Sequence, residues 1–273
     1  MTPLVVTVAP TGARRTKATH DRLPVTPEEI AAEAARCCAA GATVLHLHVR
    51  GEDGAHTLDP DRYRAAIEAV RRTVGERMVI QVTTEAVGRY APADQMAAIR
   101  ELRPEAVSLA LSELIPDDGA LRDAAVFLNW LRRQRISPQY ILYSPAEVAR
   151  FQALRRQAVI PQASPFALFV LGRYGEEIEV WPRDVIAYLK AHDLDCPWAL
   201  CAFGPMESAC VLTAAGLGGH VRVGFENNSR LADGRPAESN AELVAQVVGA
   251  TRLLGRTPAD IETTRALLAE AAA

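Results

Sequence analysis

Ala42-Thr43-Val44-Leu45-His46-Leu47-His48-Val49-Arg50 is an apolar run broken by two histidines, and Arg50-Gly51-Glu52-Asp53-Gly54 at its end is loop chemistry. The apolar residues read as a buried strand. Side chains alternate faces along a strand, so His46 and His48 point the same way, near its carboxyl end. Parallel α/β proteins keep their chemistry at that end, and paired imidazoles are good zinc ligands.

Outward from this strand, strand-like and helix-like segments alternate. Leu4 to Ala9 precedes it as a first strand, followed by the loop Pro10-Thr11-Gly12-Ala13-Arg14-Arg15-Thr16-Lys17. Thr26-Pro27-Glu28-Glu29 reads as an N-cap with proline at the first helical position. Asp59-Pro60-Asp61 opens a second helix. Further strands are expected at 78–83, 106–111, 140–143, 166–171, 198–203 and 220–225, each followed by a helix, with a short C-terminal helix at the end. Eight such units in 273 residues predict a (β/α)8 TIM barrel, with a doubly wound open sheet as the alternative. No repeat, low-complexity tract or linker divides the chain, so a single barrel domain over 1–273 is expected.

The composition, 49% hydrophobic and 23% charged with a net charge of -3, gives no reason to expect nucleic acid or a membrane surface as partner. Cys37, Cys38, Cys196, Cys201 and Cys210 are odd in number and lack CxxC spacing, which points to reduced thiols. Met1-Thr2-Pro3-Leu4-Val5-Val6 has no basic leader, and no apolar run is long enough to span a bilayer; a cytoplasmic location is expected. Neither GxxxxGK[ST] nor GxGxxG occurs.

A third ligand is offered by Gly218-Gly219-His220-Val221-Arg222-Val223-Gly224-Phe225-Glu226-Asn227-Asn228, where a short strand runs into a turn carrying Glu226. In a closed barrel the eighth strand lies across the first from the second. Two neutral imidazoles and a carboxylate leave zinc an open coordination position. The alternatives are a hydrogen-bonded core histidine pair or a two-histidine, one-carboxylate iron site. His20, His56 and His192 fall away from strand ends, and His220 sits at the opposite end of its strand. On these residues a metal-dependent aldolase or hydrolase, or a non-catalytic metabolite-binding barrel, stays open.

Ala9-Pro10-Thr11-Gly12-Ala13, Leu45-His46-Leu47-His48-Val49-Arg50, Gln81-Val82-Thr83-Thr84-Glu85 and the Gly218 to Asn228 stretch resemble, in order and over nearly the whole chain, the β-keto acid cleavage enzymes. The resemblance implies a (β/α)8 barrel, a divalent metal (usually Zn2+) and acetyl-CoA as co-substrate. The implied reaction converts a β-keto acid and acetyl-CoA into acetoacetate and a new acyl-CoA. It runs through the enolate of the chelated keto acid, addition to acetyl-CoA, migration of CoA and a retro-Claisen release. The resemblance makes His46, His48 and Glu226 the ligands, Arg222 the catalytic arginine and Thr83 a substrate contact. It also implies a homo-oligomer, a tetramer.

The chain departs from that pattern in three places. Asn227 stands where many members carry an aspartate paired with the arginine; an amide can orient Arg222 but not raise its basicity. Glu85 then becomes the candidate base, against a structural pairing with Arg50 or Arg89. Arg14 replaces a glutamate of the enzyme with an aminated substrate; Arg14, Arg15 and Lys17 favour a substrate neutral or anionic at its distal end, such as a β-keto dicarboxylate. The competing reading sends Arg14 and Arg15 to solvent or to CoA phosphates. Ala110 takes the place of a threonine. Ser108 and Ser112 are candidate substrate contacts, Arg173 and Tyr174 of the Leu171-Gly172-Arg173-Tyr174-Gly175 turn could meet CoA, and Arg50 is expected to pair with a carboxylate near the metal.

Overall fold

The computed structural model describes residues 2–174, 179–193 and 195–273; Gly175 of the expected CoA turn lies outside them. Apart from a short antiparallel pair, Val49–Arg50 with His56–Thr57, its strands are β1 (Val6–Val8), β2 (Val44–Leu47), β3 (Val79–Thr83), β4 (Ala106–Ala110), β5 (Ser137–Leu142), β6 (Phe166–Leu171), β7 (Trp198–Ala202) and β8 (His220–Val223). All pair in parallel, each with its chain neighbours, and β8 pairs back onto β1, which closes the barrel and excludes the open sheet.

The helices are α1 (Pro27–Ala40), α2 (Pro60–Val74), α3 (Pro92–Leu102), α4 (Leu111–Leu114), α5 (Leu121–Gln134), α6 (Pro145–Arg156), α7 (Val185–Ala191), α8 (Glu207–Gly216), α9 (Asn240–Thr251) and α10 (Ile261–Ala272). Capping fixes their starts: Thr26 and Glu29 form a reciprocal capping box around Pro27, and Gly41 ends α1 in the left-handed conformation. Outward strand residues such as Leu45, Leu47, Val82 and Leu109 are buried against the helices in one continuous core. Inward residues, among them Val5, Val44 and Val79, cluster with Leu268 and Ala271 of α10. The terminal helix therefore packs over the amino-terminal mouth of the barrel, tied there by a hydrogen bond from Thr264 Oγ1 to Thr43 Oγ1 at 2.8 Å. His220 sits at that end as expected, its Nδ1 accepting the Val5 N–H at 3.0 Å and its ring edge-on to Phe166.

Among the boundaries that differ from the sequence reading, three have a local cause. β5 starts at Ser137 rather than Tyr140; Pro138 looks like a strand breaker, but near a strand's first residue its missing N–H is tolerated. Leu111 opens α4 instead of ending β4. β8 stops at Val223 because Gly224 takes a φ of +141°, against the backbone of Ala9, where a Cβ would collide with the Ala9 carbonyl. Among the described residues no helix is long and apolar enough to cross a membrane.

Candidate metal centre and active site

β1 lies between β2 and β8, with Thr7 in register with both Val44 and Arg222. Side chains that lean inward from β2 and β8 therefore converge above β1. His46 Nε2 and His48 Nε2 are 3.1 Å apart, and Glu226 Oε2 lies 3.5 Å from the first and 3.2 Å from the second. Four percent or less of each of the three residues is exposed. A tetrahedral zinc ion with bonds of about 2.0–2.1 Å holds its ligand atoms about 3.3 Å apart, which matches this triangle.

The protonation pattern fits a cation as well. His46 Nδ1 lies 2.9 Å from Gln81 Oε1, and Gln81 Nε2 donates to Gln139 Oε1 at 3.2 Å, so His46 carries its proton on Nδ1 and turns a lone pair inward. Burial, with the charge of Arg222 adding to it, pushes His46 down to about 3, so the ring is neutral. Burial alone would raise the Glu226 carboxyl; the Arg222 guanidinium, with His48 and His46 adding to it, overcomes that and holds the group well below the usual carboxylate range. Glu226 Oε2 is nevertheless buried with no hydrogen-bond donor among the described residues. A neutral imidazole lone pair facing a carboxylate oxygen without a donor is an arrangement that could hold a positive ion.

The backbone that carries Glu226 is anchored residue by residue. The Gly224 N–H donates to Glu207 Oε1 at 3.3 Å, the Phe225 N–H to Asn240 Oδ1 at 2.7 Å and the Glu226 N–H to Ala9 O at 3.1 Å. Tyr174 donates its hydroxyl to Glu226 O at 2.7 Å. Glu207 is fully buried, and burial pushes its carboxyl up to about 8. Gly12, at a φ of +66°, presses its Cα on the ligand itself: a Cβ there would meet the Tyr174 hydroxyl and lie 2.7 Å from Glu226 Cγ. Gly12→Ala is expected to weaken metal affinity about 10–100-fold and to cost about 1–2 kcal/mol of stability through its left-handed backbone. Chelator competition and thermal unfolding check the two effects.

A cavity of about 360 Å³ opens beside the triangle, lined among others by His46, Thr83, Glu85, Tyr143, Arg222 and Glu226. Arg222 donates Nη2 to Glu226 Oε1 at 2.8 Å, while its Nε and Nη1 are buried with no acceptor among the described residues. Thr83 Oγ1 accepts the Glu85 N–H at 3.1 Å. Glu85 lies with Oε1 3.8 Å from Arg14 Nε and Oε2 4.0 Å from His48 Nδ1. Burial raises its pKa, opposed by His48. Arg14 is on the cavity wall, whereas Lys17 turns away to pair with Glu29. Ser112 and Ala110 line the cavity too.

Other expected contacts are replaced. Ser108 is not on the cavity wall; it sits behind His46, Oγ 3.5 Å from Nδ1. Arg50 pairs with no carboxylate among the described residues. It donates instead to the carbonyls of Gly12 at 2.5 Å, Ala13 at 2.6 Å and Arg15 at 3.0 Å, holding the first loop over the site. Arg89 reaches the His56 carbonyl at 3.4 Å, leaving Arg14 as the cation beside Glu85. Asn227 makes no hydrogen bond to Arg222; both its side-chain amide atoms are buried without partners among the described residues, and the residue lines a second cavity of about 430 Å³ with Arg15, Arg173, Tyr174 and Phe203. The two cavities share Arg173, Tyr174 and Phe203.

Gln81, Glu113, Tyr143 and Glu207 carry no role in the sequence reading. Gln81 had a signal, since a period of two puts it on the face of Thr83. Glu207 had none, because its contacts to residues 224 and 228 exist after folding alone.

Fold and site together define a (β/α)8 barrel that gathers, at its carboxyl-terminal face, two histidines and one glutamate that could hold a metal ion. The sequence pattern of the beta-keto acid cleavage enzymes matches residues 3–269, and the chain belongs to that family. It is 30% identical over 278 residues, 98% of each chain, to a 3-keto-5-aminohexanoate cleavage enzyme of Fusobacterium nucleatum subsp. nucleatum. It is 28% identical to a 3-oxoadipate:acetyl-CoA acetyltransferase of Cupriavidus necator, covering 97% of this chain and 94% of that one. Among solved structures, a binary complex of ObcA with oxaloacetate superposes with a TM-score of 0.72 at 20% identity, covering 90% of this chain and 67% of that one, a likeness of fold.

Proposed function

We propose that this protein is a zinc-dependent acyltransferase, acting as one barrel domain, that turns a β-keto acid and acetyl-CoA into acetoacetate and a new acyl-CoA. The observation that carries the reading is the donorless Glu226 oxygen facing two inward imidazoles, with unpaired Arg222 donors beside it in a closed-bottomed cavity. His46, His48 and Glu226 hold the ion. When bound there, a divalent ion supplies Lewis-acid polarisation of the keto-acid carbonyl.

The chain's own residues do the rest. Arg222 Nε and Nη1 donate to the substrate oxygen on which negative charge develops, and burial makes that donation strong. Glu85, on the same wall, accepts the proton from the carbon between the two carbonyls. Thr83, whose oxygen already orders Glu85 through its N–H, has its hydroxyl proton free for the substrate. Arg14 faces the substrate's distal end, and its charge favours a neutral or anionic group there, such as the carboxylate of a β-keto dicarboxylate. Ser108 supports the substrate side indirectly, through His46.

The arm of acetyl-CoA enters through the second cavity, past Arg173 and Tyr174, with the Asn227 amide buried beside it. The relatives' names, one of them a 3-oxoadipate:acetyl-CoA acetyltransferase, support acetyl transfer and a dicarboxylate. The assembly is a cytoplasmic homotetramer on this reading.

Purified protein with added Zn2+, given acetyl-CoA and a panel of β-keto acids, is expected to form acetoacetate, fastest from 3-oxoadipate or 3-oxoglutarate. No acetoacetate from any member overturns the reading, and preference for 3-keto-5-aminohexanoate overturns the substrate class.

A further inference from the structure

Addition of a β-keto acid carbon to a thioester puts negative charge on two oxygens in turn, first on the keto acid and then on the thioester carbonyl. Arg222 serves the first on the reading above, and the second needs a donor of its own. That donor has to stand where the two cavities meet, a junction marked by Arg173, Tyr174 and Phe203, which line both. Tyr174 is already engaged, its hydroxyl donating to Glu226 O at 2.7 Å, and the half-exposed Arg173 turns to Glu147, 3.8 Å away. Thr83 and Ser112 stand farther round the barrel, on the β3 and β4 sides. Tyr143, one residue past β5, lies under Arg173, whose guanidinium carbon is 4.7 Å from the centre of its ring. Its backbone is fixed: the N–H donates to Glu147 Oε2 at 3.0 Å and the carbonyl accepts the Tyr188 hydroxyl at 2.8 Å. Its own hydroxyl makes no hydrogen bond among the described residues, although the residue is on the wall of the first cavity. Burial pushes the phenol well up, with Glu85, Glu113 and Glu226 adding to it and Arg222 opposing, so it keeps its proton and stays a donor.

We propose that Tyr143 is a catalytic residue of the addition step, its hydroxyl donating to the thioester oxygen of acetyl-CoA as that oxygen takes up charge. The inference rests on the function proposed above and names the group that handles its second carbonyl. In that step the keto-acid carbanion forms a bond to the acetyl carbonyl carbon and the C=O π pair moves onto oxygen. The Tyr143 O–H donates to the resulting oxyanion and strengthens as the charge grows, without its proton being transferred. When the pair returns, the carbonyl reforms and the C–S bond breaks, with CoA leaving as the thiolate. No proton is consumed, so the phenol needs neither a base nor a relay.

Tyr143→Phe keeps the ring under Arg173 and removes the hydroxyl alone. On the keto acid that wild-type protein turns over fastest, the variant is expected to lose about 10²–10³ in kcat, with KM for the keto acid and bound metal unchanged. Deuterium exchange at C2 of that keto acid, followed by NMR in D2O without acetyl-CoA, should keep the wild-type rate, because the proton leaves before the thioester takes part. The direct readout is the carbonyl stretch of bound acetyl-CoA carrying carbon-13 at the acetyl carbonyl, measured by difference infrared spectroscopy. It should lie lower in frequency on wild-type protein than on Tyr143→Phe. A kcat close to that of wild type, or exchange falling as far as kcat, overturns the assignment, and so does an identical stretch on the two proteins. The infrared measurement needs no turnover, so it decides on Tyr143 even where acetoacetate formation fails. An unaffected variant of a protein that does form acetoacetate removes Tyr143 from the reaction and leaves the acyltransferase reading intact.

Discussion

Replacing Glu226 with Gln is expected to leave the purified protein without its divalent ion and to lower acetoacetate formation by about three orders of magnitude or more. The carboxylate is the acidic member of the triangle, and its Oε2 has no hydrogen-bond donor among the described residues. A neutral amide would turn either a weak oxygen ligand or an N–H toward the lone pair of His46 Nε2. The same change removes the acceptor for Arg222 Nη2, 2.8 Å away, and strands a guanidinium of which 3% is exposed. Breaking a buried pair in this way costs about 3–5 kcal/mol. Metal analysis after dialysis checks the first effect and thermal unfolding the second. Wild-type unfolding should also fall when a chelator is added, because an ion bound to the native state alone stabilises it; the variant should not respond. A Glu226→Gln protein with full metal content would remove the residue from the site.

Arg222→Met is expected to keep its metal and lose about 10²–10³ in kcat, the usual effect of deleting one donor to developing negative charge. Methionine fills much of the same volume, so the barrel interior stays packed. What disappears is the pair of buried donors, Nε and Nη1, that have no acceptor among the described residues. Arg222→Lys should recover part of the loss, since it restores the charge without the planar fork. The expected signature is a fall in kcat larger than any change in KM for either substrate, measured with metal content fixed. Equal loss of bound metal in both variants would make Arg222 a support for Glu226 rather than a group acting on substrate.

The positions that proved readable in advance were those whose information is local. Strand periodicity alone puts His46 and His48 on one face, and that spacing survives folding as a 3.1 Å approach of their Nε2 atoms. Pro27, Pro60, Pro92 and Pro145 each stand at the start of a helix, where their fixed φ and missing N–H do no harm. Repeated eight times, this strand and helix punctuation leads to the closed barrel. Glu226 was legible for a different reason: a turn after the last strand has to lie near the second strand once the barrel closes.

What failed were statements about which side chain meets which. Arg50 follows His48 with the right period to face the metal, yet three carbonyls of the first loop compete for its guanidinium, and no carboxylate lies closer. Ser108 and Asn227 stand next to functional positions in sequence, but register puts the first behind His46 and the turn after Gly224 sends the second to another cavity.

The order of polar and apolar residues along this chain determined its alternation of strands and helices and the shared face of His46 and His48, because each depends on periods and caps within a few neighbours; Glu226 joined them only through the barrel closure which that alternation implies. Tertiary structure decided the tautomer of His46, the anchoring of the Glu226 turn by Glu207 and Asn240, and the partner of Arg14. Those depend on closing a sheet whose first and last strands are more than two hundred residues apart, and on which buried donors and acceptors are left over once it has closed.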